Sequence, residues 1–242
     1  MLRTAEAGME GSMKQGAGRV FYSILIFLLA LNIMPAQVYA KVEDASTKDY
    51  KKQYKFTTNW FTHKIPLLAR ILDEFKGKPG VTYLEIGTFE GRSALWLLEN
   101  ILTSRASKLV IIDAFEENTY KTFISNINLS GEADKFKILS GLSIEKIKEL
   151  PSNSIDLAYI DGSGKGIVML SDLVNTWNLL KINGIMICSR YALDASLRAA
   201  LELQPNEPGP YEAIDTFVKL YKPYINMLAF EENLVIFRKI RQ

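Results

Sequence analysis

Three acidic residues stand where an α/β chain can do chemistry. Glu85 lies at the end of the apolar run Val81–Ile86 and leads into Gly87 and Gly91, giving the pattern E-x-G-x-x-x-G. Asp113 follows the run 108–112, and Asp161 follows the run 155–160. A carboxylate at the end of a buried strand reaches the crevice outside the carboxyl ends of an open sheet, where such sheets bind ligands. The stretch VTYLEIGTFEGRSALWLL, residues 81–98, predicts a strand, a glycine-bearing turn and an amphipathic helix. Its plain alternative is an ordinary βα turn that uses glycine only for tight geometry.

The turn discriminates between cofactors. A dinucleotide loop reads G-x-G-x-x-G, and its second glycine admits a pyrophosphate. Phe89 occupies that place here and blocks the approach, which disfavours a nicotinamide oxidoreductase. S-adenosylmethionine carries no phosphate, so its loop can keep a side chain at this position. Other chemistries lack their residues. The chain has one histidine, His63, and one cysteine, Cys188, too few for a common zinc site or an intramolecular disulfide. No G-x-S-x-G nucleophile elbow occurs. The net charge of +2, with scattered basic residues, gives no nucleic-acid footprint.

These residues need elements to position them. The 242 residues, 48% of them hydrophobic, suit one globular domain and an extension. After a helix near 65–75, strands are predicted at 81–86, 108–112, 136–139, 155–160 and 182–188. They alternate with helices near 92–102, 117–129, 143–149, 168–180 and 194–201. A helix at 211–220 and a strand pair, 224–230 and 234–238, close the chain. Five βα units and a hairpin predict an α/β fold, a mostly parallel seven-stranded Rossmann-like sheet with a C-terminal antiparallel hairpin.

The expected organisation is a signal peptide or membrane anchor at 1–40, a linker at 41–58 and the domain at 59–242. Residues 20–34, VFYSILIFLLALNIM, form an apolar run preceded by Lys14 and Arg19 and followed by Val38-Tyr39-Ala40. Basic, apolar and small residues in that order predict an export signal, and a start at Met13 would make it compact. The run is short for a spanning helix. The alternative is an uncleaved anchor, whose following lysines (Lys41, Lys48, Lys51, Lys52, Lys55) would keep the domain cytoplasmic. Either way, residues 20–34 are the candidate membrane contact.

From about Trp60 onward the chain resembles class I S-adenosylmethionine-dependent methyltransferases, and within them the cephalosporin-hydroxylase-like and catechol-type O-methyltransferase group. The pieces that carry the resemblance are YLEIGTFEGRSA, IDLAYIDGS, WNLLKINGIMI and the segment around Ala213, Ile214, Asp215 and Phe217, in that order. The resemblance implies S-adenosylmethionine as cofactor and O-methyl transfer to a small-molecule or glycan-like acceptor. It places Gly87 and Phe89 against the methionine part. Ser93 would hold the carboxylate at the helix start, Glu85 would orient the loop or meet the amino group, and Gly91 would open the helix. Asp113 would take the ribose hydroxyls, with a helix N-cap as its plainer role. Gly141 to Ser143 would edge the adenine, and Asp161 would face the reacting methyl.

Two departures qualify the chemistry. Relatives usually read D-G-S-H after the fourth strand, and end the fifth with two acids or Asp-Asn. This chain reads Asp161-Gly162-Ser163-Gly164 and Ser189-Arg190. In metal-dependent relatives those acids join the strand-four Asp around magnesium, which wants several hard oxygens. A metal-independent site is therefore expected. Arg190 would supply the positive charge, binding an anionic substrate or only neutralising Asp161; its bland alternative points to solvent. Lys165 is a candidate general base or a residue of an exposed glycine-flanked loop. His63, with Trp60 and Phe61, would lie on an N-terminal lid, packing rather than catalysing. The competing reading is a non-catalytic methyltransferase-fold binding protein of the cell envelope.

Overall fold

A computed structural model describes residues 54–192, 198, 204, 206–231 and 233–242. The apolar run 20–34 and most of the helix expected at 194–201 lie outside them. No described helix is long and apolar enough to cross a membrane.

The strands are β1 (Thr82–Ile86), β2 (Lys108–Asp113), β3 (Phe136–Ser140), β4 (Ile155–Ile160), β5 (Leu180–Cys188), β6 (Ile225–Glu231) and β7 (Leu234–Lys239). They form one sheet in the order β3-β2-β1-β4-β5-β7-β6. The first five run parallel, and β7 joins β5 antiparallel and pairs with β6 as the closing hairpin. The helices are α1 (Ile65–Leu72), α2 (Arg92–Asn100), α3 (Glu117–Leu129), α4 (Ser143–Lys146), α5 (Gly166–Leu179) and α6 (Pro210–Tyr221).

Parallel strands covered on both faces lose their alternation. β1, β2 and β4 accordingly bury four residues in a row, Tyr83–Ile86, Leu109–Ile112 and Leu157–Ile160. The fifth strand starts two residues earlier than its sequence pattern predicts. Leu180 pairs with Ile155, but Ile185 pairs with Leu157, so the residues between them bulge out of register. Lys239 of β7 closes the far end of α5. Its buried ammonium donates to the carbonyls of Trp177 (3.0 Å) and Leu180 (2.8 Å), groups that a helix end leaves unpaired.

The order of strands reverses between β1 and β4, which places a crevice at their carboxyl ends. The two strand ends are locked together there. Asp161 N–H donates to Ile86 C=O (2.8 Å), Gly87 N–H to Ile112 C=O (2.9 Å) and Ser189 N–H to Ile160 C=O (2.9 Å). Gly87 has φ +84°, and a Cβ on it would lie 2.5 Å from Asp161 O and from Gly162 Cα. Those are backbone atoms that cannot swing aside. Gly87→Ala is expected to destabilise the full-length protein by about 2–4 kcal/mol, combining positive-φ strain with the clash. Urea unfolding would read this as a lower midpoint at unchanged slope.

Candidate functional site

The crevice is a cavity of about 470 Å³, within the range of small-molecule sites. Four loops build it: those after β1, β2, β3 and β4, with Arg190 after β5. Gly87, Phe89, Ser93, Asp113, Gly141, Ser143 and Asp161 all line it. The sequence brings them together from strand ends spread over 75 positions.

The loop after β1 is held by a carboxylate. Asp113 Oδ2 accepts the amides of Thr88 (2.8 Å) and Phe89 (3.0 Å), while Oδ1 accepts Phe115 N–H (2.9 Å). Phe89 takes a left-handed conformation, φ +55°, which these bonds stabilise. Asp113 therefore does not cap α3, whose N-cap is Glu116. It ties the first two loops while still bordering the cavity.

Two expected contact residues stand behind the wall. Glu85 is fully buried and does not line the cavity. It accepts Ser93 Oγ–H and Tyr83 OH (2.8 Å), and burial pushes its carboxyl up to about 8. Ser93 reaches the cavity with its hydroxyl committed to Glu85. Gly91 is the N-cap of α2 at φ +87°, and a Cβ there would strike the Phe123 ring at 2.7 Å. Its glycine serves packing and the turn; it is not part of the cavity wall.

At the β4 end, Asp161 sits in a knot of charge. Arg190 Nε donates to Asp161 Oδ1 at 2.7 Å and to its carbonyl at 3.2 Å. Arg190 thus turns into the cavity rather than to solvent, from a backbone at φ +62°. Tyr159 OH donates to Asp161 Oδ2 (3.2 Å). Behind it, Lys64 Nζ donates to Tyr159 OH (2.9 Å) and Ser189 Oγ (2.7 Å), and stands 3.6 Å from Asp161 Oδ2. Lys64 is only 7% exposed. Burial pulls its ammonium below the ordinary lysine range, and Asp161 opposes that shift. Lys165, by contrast, borders no part of the cavity, and its ammonium lies 3.9 Å from Glu207. His63 is exposed and also off the cavity.

The remaining wall comes from the chain before β1. Residues 54–58, expected to end a linker, lie bonded along the domain. Lys55 N–H donates to Asn126 Oδ1 (2.9 Å), and Thr57 donates through both its amide (2.6 Å) and hydroxyl (2.9 Å) to Glu90. Arg92 reaches back to the Thr58 carbonyl (2.8 Å) and covers the Phe56 ring (4.1 Å). Phe56, Trp60 and Phe61 line the cavity from this side, and Trp60 packs on Phe89 with centroids 5.5 Å apart.

Sequence reasoning missed Lys64 and Asp172. Asp172 lines the cavity from α5, almost fully buried, and burial pushes its carboxyl up to about 6. Both had a signal. Met169, Asp172, Leu173 and Thr176 recur at helical spacing on one buried face, as do Lys64, Leu68 and Leu72. A charge in register with an apolar stripe is a buried charge.

The architecture is the class I methyltransferase fold, and the comparisons agree. Residues 84–189 match the family described as a methyltransferase domain. The structure is similar to the O-methyltransferase from Bacillus cereus solved with S-adenosylhomocysteine, at 16% identity and TM-score 0.56, covering 90% of this chain and 97% of that one. It is also similar to the O-methyltransferase TomG from Streptomyces achromogenes, involved in tomaymycin synthesis and solved with S-adenosylmethionine. There the identity is 14% and the TM-score 0.57, with 90% and 96% covered. No curated protein matches the chain in sequence.

Glu85 gives the site a pH signature. Its pKa is raised on folding, so the native state holds a proton that the unfolded chain loses above the ordinary value of 4.5. Stability is thus fully present below pH 4.5 and falls as pH rises to about 8, beyond which it levels. Glu85→Gln is expected to flatten this decline by a few kcal/mol, read as urea midpoints at steps between pH 5 and 8.

Proposed function

We propose that the protein is an S-adenosylmethionine-dependent O-methyltransferase whose cofactor occupies the switch-point cavity and whose acceptor is a small or glycan-like hydroxyl compound. The observation that carries this reading is the cavity itself: four strand-end loops converge on it, with Asp113 between the first two. The donor set fits the cofactor. Ile112, Ala114 and Leu142 supply apolar walls for a purine, and Asp113 supplies a carboxylate for hydroxyls. The first turn of α2 supplies unpaired amides for a carboxylate.

When bound, S-adenosylmethionine supplies a methyl group activated on a positive sulfur. The chain's own task is positioning, because in-line displacement needs alignment more than covalent assistance. Arg190 fixes Asp161 Oδ1; Oδ2 also accepts Tyr159 OH and faces Lys64, and its remaining lone pair takes the acceptor's hydroxyl proton. Phe61 and Trp60 keep water from that side. Lys165 has no step in this reading.

We read the reaction as metal-independent, because Arg190 occupies Asp161 Oδ1 while Tyr159 and Lys64 crowd Oδ2. The same engagement supports a second reading, a cofactor-binding protein that no longer transfers the methyl group. Export through residues 1–40, with a membrane-tethered cytoplasmic domain as its rival, completes the proposal.

Calorimetric titration of the full-length protein with S-adenosylmethionine and S-adenosylhomocysteine tests it. Micromolar binding is expected, weakened at least about tenfold in both Asp113→Ala and Asp113→Asn, since each removes charge from the loop clamp. No binding by the folded wild type would overturn the reading.

A further inference from the structure

The sheet ends on a strand that is paired on one side. β6 closes the order β3-β2-β1-β4-β5-β7-β6, so among the described residues its strand neighbour is β7 alone. Ile240 N–H donates to Tyr224 C=O (2.9 Å), and along an antiparallel ladder bonded and non-bonded pairs alternate. Asn226, opposite Arg238, therefore bonds β7 through its backbone. The amides and carbonyls of Ile225 and Met227 point the other way, off the edge of the sheet. Such a row of open backbone groups is a template for another strand.

Edges of this kind are ordinarily blunted by proline, by charge or by a bulge. Residues 225–230, INMLAF, hold no proline and no charged side chain. The register does break between Met227 and Ala229, which leaves the first half of the strand regular. Apolar surface lies where the backbone is open: Met227 is 41% and Phe230 59% exposed. Phe230 packs on Tyr191 with centroids 4.8 Å apart, and Tyr191 on Tyr211 at 5.3 Å, so an aromatic ridge runs from the strand to the first turn of α6.

Charge at the two ends of β6 selects the occupant. Before its first residue stand Lys222, which is exposed, and Arg241, whose Nε donates to the Pro223 carbonyl (2.6 Å) while its guanidinium covers the Tyr224 ring (5.5 Å). At its last residue stands Glu231, 55% exposed. Glu231 pairs with Arg70 at 3.8 Å, both side chains more than half exposed, and a pair so placed contributes little. A basic start and an acidic finish complement themselves in one arrangement, an antiparallel pair of β6 strands about a two-fold axis. With the axis at Asn226 or at Met227, Lys222 of each copy comes within one residue of direct opposition to Glu231 of the other. A parallel pair would set lysine on lysine and glutamate on glutamate, which is repulsive.

We propose that β6 is a homodimer interface, where two copies of this chain join their edge strands antiparallel across a two-fold axis. Two seven-stranded sheets become one continuous sheet. The open amides and carbonyls of Ile225 and Met227 gain partners, Met227 is covered near the centre, and a Lys222–Glu231 pair closes each end. The contact is isologous, so it closes on itself and stops at two copies.

Sedimentation velocity of the full-length protein tests this, in a nonionic detergent matched to the buffer density so that protein mass alone is read. Twice the monomer mass is expected, with a dissociation constant on the order of micromolar that weakens as salt is raised. Met227→Lys should raise that constant about tenfold or more, because it puts a charge on the apolar centre of the edge. Lys222→Glu and Glu231→Lys should each raise it about fivefold, since the symmetry counts every substitution twice. The two reversals combined should return it close to the wild-type value. A protein that stays monomeric, a dimer untouched by Met227→Lys, or reversals that fail to rescue one another would each overturn the proposal. Association through residues 1–53 would survive every one of these substitutions and so counts against it. Urea midpoints report whether each variant is folded, and the exposed charge pair carries the test even where Met227→Lys costs stability.

Discussion

The site depends on two strands ending without a side chain between them. Where β1 and β4 separate, Gly87 faces the backbone of Asp161 and Gly162 at distances no Cβ could share. That approach sets how far apart the two loops stand, and so how wide the crevice opens between them. Asp113 then fixes the first loop by its amides, and Arg190 fixes the end of β4 by its carboxylate. Protein interiors are packed too tightly to absorb an added methyl here by small adjustments. Each of these contacts constrains backbone rather than a flexible tip, which makes the cavity a property of the fold.

Charge is arranged around that opening in two depths. At the wall, Asp161 and Arg190 form a partly exposed pair. One layer deeper lie Lys64, Tyr159 and Ser189 on one side, and Glu85, Ser93 and Tyr83 on the other. Burying unpaired charge is costly, and proteins relieve it by pairing or by shifting protonation. Both devices operate here. Lys64 is held by hydroxyls and an adjacent carboxylate, whereas burial keeps Glu85 protonated even though Ser93 and Tyr83 donate to it and favour its charged form. The deep layer is thereby satisfied hydrogen bond by hydrogen bond, leaving the outer pair to meet a ligand.

The fold was legible because it is written in local patterns. Buried parallel strands appear as apolar runs, the turns carry glycine, and the closing hairpin brackets Glu231–Asn233. The strand-end residues of the site were legible for the same reason. What escaped was set by tertiary placement. Glu85 read either as orienting the loop or as meeting the cofactor's amino group, and the pleat turns it into the core toward Tyr83 and Ser93. Lys64 and Asp172 are charges on apolar stripes, a local anomaly whose destination only the packed structure shows. The bulge between Leu180 and Ile185 has no periodic signature, because it arises from pairing with β4.

The strap formed by residues 54–61 is hydrogen-bonded to α2, α3 and the first loop, and its rings Phe56, Trp60 and Phe61 line the cavity. A ligand seated against those rings would hold the strap as well as itself, because whatever binds only the ordered form stabilises that form. Occupancy of the cavity and order of the segment entering the domain are then two readings of one equilibrium.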